Sequence, residues 1–318
     1  MIKTVFIRLI AVILIFALIL ACISCGIPEG KDGGDTVVFT DALGRRVEVE
    51  KQPTRVAALL GSFADVWSIS GGTLCAAPTD AWEDFDIPLD GAVNLGGAHS
   101  PSLELLISAE PHFVIASANT ASNLQMEDAL SAMGITVAYF EVDNFTDYLN
   151  MLDICTDITG RKDLYQQNGL LLQAQIEEIK NDYKNTQIPT EQKKVLLLRA
   201  ASSFVKAKGK DGTILGEMLT DMGCINIADT DSSLLENLSV ERIMKEEPYH
   251  IFVVTMGANE DAAIATFENM VKENSAWGTL SAFKEGRVHY MDKTLFNLKP
   301  NARYAESYRI LYEKLLEK

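Results

Sequence analysis

Cysteine and histidine are scarce in this sequence, with five and four among 318 residues. Cys75, Cys155 and Cys224 form an odd set without CxxC spacing. That excludes a disulfide framework or zinc ribbon and reads them as small buried apolar residues. His99, His112, His250 and His289 never fall three or four residues apart, so no metal cluster is expected from spacing. His112 and His250 open expected strands, where a structural histidine fits. Basic residues are also few: 28 Lys and Arg face 44 Asp and Glu, for a net charge of −16. Such a surface repels nucleic acid and anionic headgroups, which excludes DNA, RNA or electrostatic membrane binding as the function. There is no GxSxG elbow and no phosphate loop ending in GK[ST]. Gly91 to Gly97 (GAVNLGG) lacks the pattern of a dinucleotide turn. No catalytic residue is assigned.

One long apolar run is present. Lys3 and Arg8 precede Leu9 to Ala21, a run of about 13 residues, short for a membrane span and typical of a signal-peptide core. It ends at Leu18-Ile19-Leu20-Ala21-Cys22, which resembles a bacterial lipobox with Cys22 as the acylated residue. Cys25 is the second candidate, and an uncleaved anchor helix is the alternative. Either way, the rest of the chain is expected outside the cytoplasm, held to the cell membrane by lipid or anchor. Residues 1–22 are the signal segment, and 23–35, Gly-rich and polar, are a flexible tether.

The remaining chain of about 280 residues exceeds one ordinary core, so two lobes are expected. Arg55 to Leu60, His112 to Ala118 and Ile135 to Val142 read as short buried strands separated by helical segments, the pattern of a covered parallel sheet. A hairpin, Val37–Phe39 with Val47–Val49, precedes them. The same alternation returns with Val195 to Leu198, His250 to Thr255 and Arg287 to Met291. Ser102 to Pro111 (SLELLISAEP) aligns with Ser239 to Pro248 (SVERIMKEEP) at an offset of 137 residues. Ser, both Glu and Pro coincide, and each copy reads as a Ser-capped helix that a proline ends before a strand. The expected fold is therefore α/β: two Rossmann-like lobes with central parallel sheets, 36–143 and 191–318, joined through 144–190 by one long helix. Within that link, residues 162–184 would make a rod of about 34 Å with Leu172, Ile176, Ile179 and Tyr183 on one face.

Several segments then fall into a known order. Asp41-Ala42-Leu43-Gly44-Arg45 and Pro53-Thr54-Arg55-Val56 come first, followed by the two Ser-x-Glu…Glu-Pro units. Ala276-Trp277, Ala282 to Val288 (AFKEGRV) and Lys299-Pro300-Asn301-Ala302-Arg303 complete the series. Together they resemble the periplasmic-binding family with a single helical backbone that serves ferric siderophores, haem and cobalamin, over nearly all of 36–318. The resemblance implies the solute-binding component of an ABC importer, with a permease dimer and its cytoplasmic ATPase as partners. It also implies that Glu104 and Glu241, one per lobe, face arginines of the permease. An acid in a first helical turn otherwise only offsets the helix dipole, by about 0.3–1 kcal/mol. No intrinsic cofactor is implied. The ligand ranks as a ferric siderophore first, with haem and cobalamin behind.

Ligands of open α/β sheets sit beyond the carboxyl ends of the strands. That rule selects Ser62, Phe63, Trp82, Asn119, Arg199, Ser202, Ser203, Met256, Phe296 and Arg303 as cleft candidates. Residues 199–210, with Arg199, Lys206, Lys208 and Lys210, contain no acid, nor do residues 293–303, with Lys293, Lys299 and Arg303 after Asp292. In so acidic a chain these islands suit an anionic chelate, and Arg199 and Arg303 can fork onto a carboxylate. Trp82, Phe204 and Phe296 would supply apolar walls. An axial haem ligand would have to come from Met256, His289 or Tyr290. A lipid-anchored chelatase-like enzyme of related two-lobed design, or a sensory binding module, remains the alternative.

Overall fold

Asp41 organises the first turn of the chain. In the computed structural model, which describes residues 35–317, its Oδ1 accepts from the backbone of Leu43 and Arg45 at 3.0 Å each. Its Oδ2 takes Arg45 Nη2 at 2.6 Å. The turn joins β1 (Thr36–Thr40) to β2 (Arg46–Glu50) as an antiparallel hairpin. Val47 and Val49 point inward while Arg46, Glu48 and Glu50 point to solvent, the period-two pattern of a half-buried strand. Ala42 N–H donates to Tyr139 O at 2.8 Å, and the Arg45 guanidinium lies 4.7 Å over the Tyr139 ring and meets Glu127. The Asp41–Arg45 segment is therefore a structural clasp that pins the hairpin to the neighbouring sheet.

That sheet is wholly parallel. It consists of β3 (Val56–Ala58), β4 (Ala76–Ala77), β5 (Val93–Asn94), β6 (Phe113–Ser117) and β7 (Thr136–Phe140), ordered β5-β4-β3-β6-β7. The second sheet holds β8 (Lys194–Ala201), β9 (Phe204–Ala207), β10 (Ile225–Asn226), β11 (His250–Thr255) and β12 (Val288–Met291). Its order is β10-β8-β11-β12, parallel, with β9 antiparallel to β8. The order β4-β3-β6-β7 thus recurs as β10-β8-β11-β12. β3, β6, β8 and β11 are buried nearly throughout, as strands covered on both faces must be.

The sequence repeat is a structural repeat. Ser102 and Ser239 each cap a helix, Leu103–Ser108 and Val240–Glu246, accepting from the third residue on at 3.2 and 3.4 Å. One helix leads to β6 and the other to β11, so they cover different sheets. Arg55, just before β3, donates to the carbonyls of Ala109 and Glu110 that end the first helix. Lys194, at the start of β8, reaches Glu246 O at 3.3 Å and does the same for the second.

The link 144–190, expected as one long helix, holds two consecutive helices, and the rod expected over 162–184 is the second of them. Phe145–Thr159 starts on an Asn144/Asp147 capping box and stops at Gly160, whose φ of 73° ends it in a left-handed turn. Lys162–Tyr165 and Leu171–Asn185 then run on through a π-helical turn at Gln166–Leu170. Ile176, Ile179 and Tyr183 are its buried face, with Leu172 half-buried. The last helix, Tyr304–Leu315, packs along Leu171–Asn185 and sets Tyr312 edge-on to Tyr183.

One hydrophobic core contains residues of both sheets, among them Val56, Ile115, Val195 and Phe252, together with these helices. Two further cores cover the outer faces. Residues Thr36–Lys318 form one compact unit. The signal segment, Cys22 and Cys25, and the tether up to residue 34 lie outside the described residues. No helix among the described residues is long and apolar enough to cross a membrane.

Candidate functional site

The carboxyl ends of both sheets border one cavity of about 460 Å³. From the first sheet, Thr79, Asp80, Glu83 and Asp84 after β4 and Gly97 to His99 after β5 line it; from the second come Met256 to Ala258 after β11, and Lys293, Asn297 and Leu298 after β12. Its volume falls in the range of small-molecule sites.

Local hydrogen bonds fix the first wall. Thr79 N–H donates to Gly96 O at 2.8 Å, and Asn94 Oδ1 accepts from Thr79 Oγ1 and Gly96 N. Asp80 Oδ2 accepts from Gly61 N at 3.0 Å, placing a carboxylate at the start of the helix Gly61–Ile69, where the dipole favours it. A Cβ at Gly61 would stand 2.7 Å from Ala81 N, so only glycine permits this approach. Burial pushes the Asp80 carboxyl above the usual range. The second wall is tied to its own sheet: Met256 N–H donates to Ala200 O at 2.8 Å, and Gly257 turns at φ 92°. Lys293 and Asp84 pair across the cavity at 2.7 Å. A smaller cavity of about 200 Å³ lies beyond, also bordered by Asp84, with Asp65, Lys299 and Arg303 in its lining.

The sequence candidates divide. Met256 borders the larger cavity and Arg303 the smaller, where Glu306 holds the Arg303 guanidinium at 2.7 and 2.9 Å. Trp82 is 39% exposed on the helix Asp80–Glu83, whose neighbours line the cavity. Asn119, past the end of β6, is exposed and bonds Glu141. Ser202 and Ser203 are exposed in the β8–β9 turn. Three assignments need correction. Phe63 and Phe296 are core residues, 1% and 2% exposed, and Phe63 packs edge-on to Phe140, so neither ring is a ligand wall. Ser62 is buried, and its carbonyl accepts from Asn301.

Arg199 stands apart. It lies on β8 beside Val254 of β11, half-buried, with a buried Nε that has no acceptor. No ion pair reaches it among the described residues, and burial alone pushes its pKa down.. Lys206 is its register partner on β9, and Lys208 is pushed down by burial and by both neighbouring cations. Lys299 is likewise pushed down by burial, against Asp143 and Asp147.

Glu104 and Glu241 are both exposed, each in the first turn of its helix, and neither forms an ion pair among the described residues. No cluster of three or more potential metal ligands occurs among the described residues. The histidines do pair, across strands instead of along a helix: His250 Nδ1 and His289 Nε2 are 3.0 Å apart. His289 is therefore committed to the interior and is no axial ligand. Tyr290 is half-exposed but packs edge-on to Phe267, on the face of β12 turned away from His289. Cys155 is buried and Cys75 and Cys224 half-buried, all free.

Sequence reasoning missed Asp80, Asp84 and His99. Acids are too abundant here for two more to stand out, and the β4 and β5 strands that present these loops are two residues each.

A sequence model described as periplasmic binding protein matches residues 50–295. A Bacillus subtilis (strain 168) protein, YhfQ, named as a candidate ABC transporter substrate-binding lipoprotein, is 24% identical over 307 residues, covering 92% of this chain and 91% of its own. The Fe(3+)-citrate-binding protein YfmC of the same organism is 24% identical over 295 residues, 87% of each chain. Among solved structures, Staphylococcus aureus SirA complexed with staphyloferrin B superposes with a TM-score of 0.66 at 19% identity, covering 89% of this chain and 99% of that one. S. aureus IsdE complexed with heme gives a TM-score of 0.68 at 15% identity, covering 83% and 99%. At these identities the structures establish a shared fold.

Proposed function

Because the chain belongs to the periplasmic binding protein family, we propose that it is the solute-binding component of an ABC importer and captures an iron chelate where the carboxyl ends of its two sheets meet. Membership makes it a binding protein and not an enzyme. The chelate is a ferric siderophore in the first place, with haem and cobalamin behind it. The protein works as two lobes, 36–143 and 191–318, on the helical link 144–190. Cys22 or Cys25 carries the lipid that holds it outside the cytoplasm, and Glu104 and Glu241 meet the permease dimer above its ATPase.

Arg199 carries the ligand reading. A half-buried guanidinium without a counter-charge among the described residues is unfavourable by itself, and an anionic ligand would relieve it. Lys206 and Lys208 extend the same acid-free patch. The relative named for Fe(3+)-citrate and the neighbours holding staphyloferrin B and heme support an iron-bearing ligand. Purifying the protein from native medium and recording its absorption spectrum tests this. A ferric charge-transfer or haem band is expected. Binding of free Zn²⁺ or Mn²⁺ with no chelate present would overturn the ranking.

A further inference from the structure

Among the described residues, two side-chain polar contacts cross the seam between the sheets, and they differ in kind. Asn301, fully buried at φ 50°, donates its Nδ2 to Ser62 O and to Asp65 Oδ2 at 2.8 Å each. The Asp84–Lys293 pair, 2.7 Å apart, keeps 16% and 20% of its side chains exposed and borders the larger cavity, with Asp84 bordering the smaller one as well. Asp84 follows β4 of the first sheet and Lys293 follows β12 of the second. Among the described residues, no other ion pair joins a loop of one sheet to a loop of the other.

We propose that Asp84–Lys293 is a latch that keeps the cleft narrow in the ligand-free protein and must part for the cleft to widen. The Asn301 contact is sealed in packing and serves as the pivot. The ion pair is the contact that water reaches, so it yields first. Mostly buried charges are screened less than surface ones, which gives the pair more hold than an exposed salt bridge. Taken with the binding reading above, on which this part rests, the latch also gains a ligand role. An anionic oxygen entering the cavity can take Lys293 from Asp84, so anion capture and latch opening become one event.

Hydrogen exchange on the ligand-free full chain tests the latch without any ligand. Asp84→Asn and Lys293→Met should each speed exchange several-fold in both 79–86 and 291–298, on the two sides of the seam. The swapped double variant Asp84→Lys/Lys293→Asp should return both segments toward wild type. If one single variant folds poorly, the other reports the same contact from the opposite wall. Faster exchange confined to the mutated segment, no change, or a swap without recovery would overturn the latch. Failure of the wild-type protein to bind any ferric chelate would instead sink the binding reading and leave this result standing.

Discussion

Glu110 and Glu247, at equivalent places in the repeat, hold the same left-handed backbone, φ 46° and 47°, directly before a buried proline. Each lets a short helix reverse into a central strand. A side chain at positive φ costs of order 1 kcal/mol that glycine avoids. Glu110 forms no ion pair among the described residues, whereas Glu247 Oε1 accepts from Ser281 N at 2.8 Å. Glu110→Gly is therefore expected to leave stability unchanged or raise it by up to about 1 kcal/mol, and Glu110→Val to lower it by about 1–2 kcal/mol. Urea midpoints at constant slope check both.

Glu104 and Glu241 should separate binding from transport. Glu104→Arg/Glu241→Arg is expected to bind ligand as the wild type does, since both side chains are exposed and neither lines the cavity. Uptake by cells carrying it should fall to background. Normal uptake would remove both residues from the docking surface.

The His250–His289 pair predicts an acid-side weakness. Burial pushes both imidazoles from 6.5 down to about 4, with Arg287 adding to the effect on each and Lys314 on His289, and Glu317 opposing it. Below pH 6.5 the unfolded chain takes up protons that the folded chain refuses, so stability present above 6.5 is lost as pH falls toward 4. The loss is up to about 1.4 kcal/mol per pH unit for each imidazole. His289→Phe should roughly halve the slope of unfolding free energy between pH 6.5 and 4. An unchanged slope would show that the pair does not titrate on unfolding.

Much of the fold was legible from residues with two constraints each. Ser102 and Ser239 needed both a capped helix and a following strand, and at a fixed offset only a duplicated unit satisfies both. β11 was read at its observed limits because His250–Thr255 is buried throughout. The strands β4, β5 and β10 were missed because two residues carry no periodicity. The site was less legible for a related reason. Phe63 and Phe296 follow strands just as cleft residues do, and sequence position does not say which face of a helix turns inward. The His250–His289 contact joins residues 39 apart that only strand pairing brings together.

Trp82 offers a reporter for the cleft, being 39% exposed while Trp67 and Trp277 are 1% and 0%. The most direct measurement is a titration of wild-type and Arg199→Ala protein with ferric citrate and a ferric catecholate, followed by calorimetry and tryptophan fluorescence. The wild type should bind at least one of them saturably. Arg199→Ala should bind it at least about tenfold more weakly, the loss of one charge-assisted contact, yet unfold at a higher temperature without its unpaired cation. Equal affinity in the two proteins would contradict the assignment of Arg199. No binding of any ferric chelate by the wild type would contradict the account as a whole.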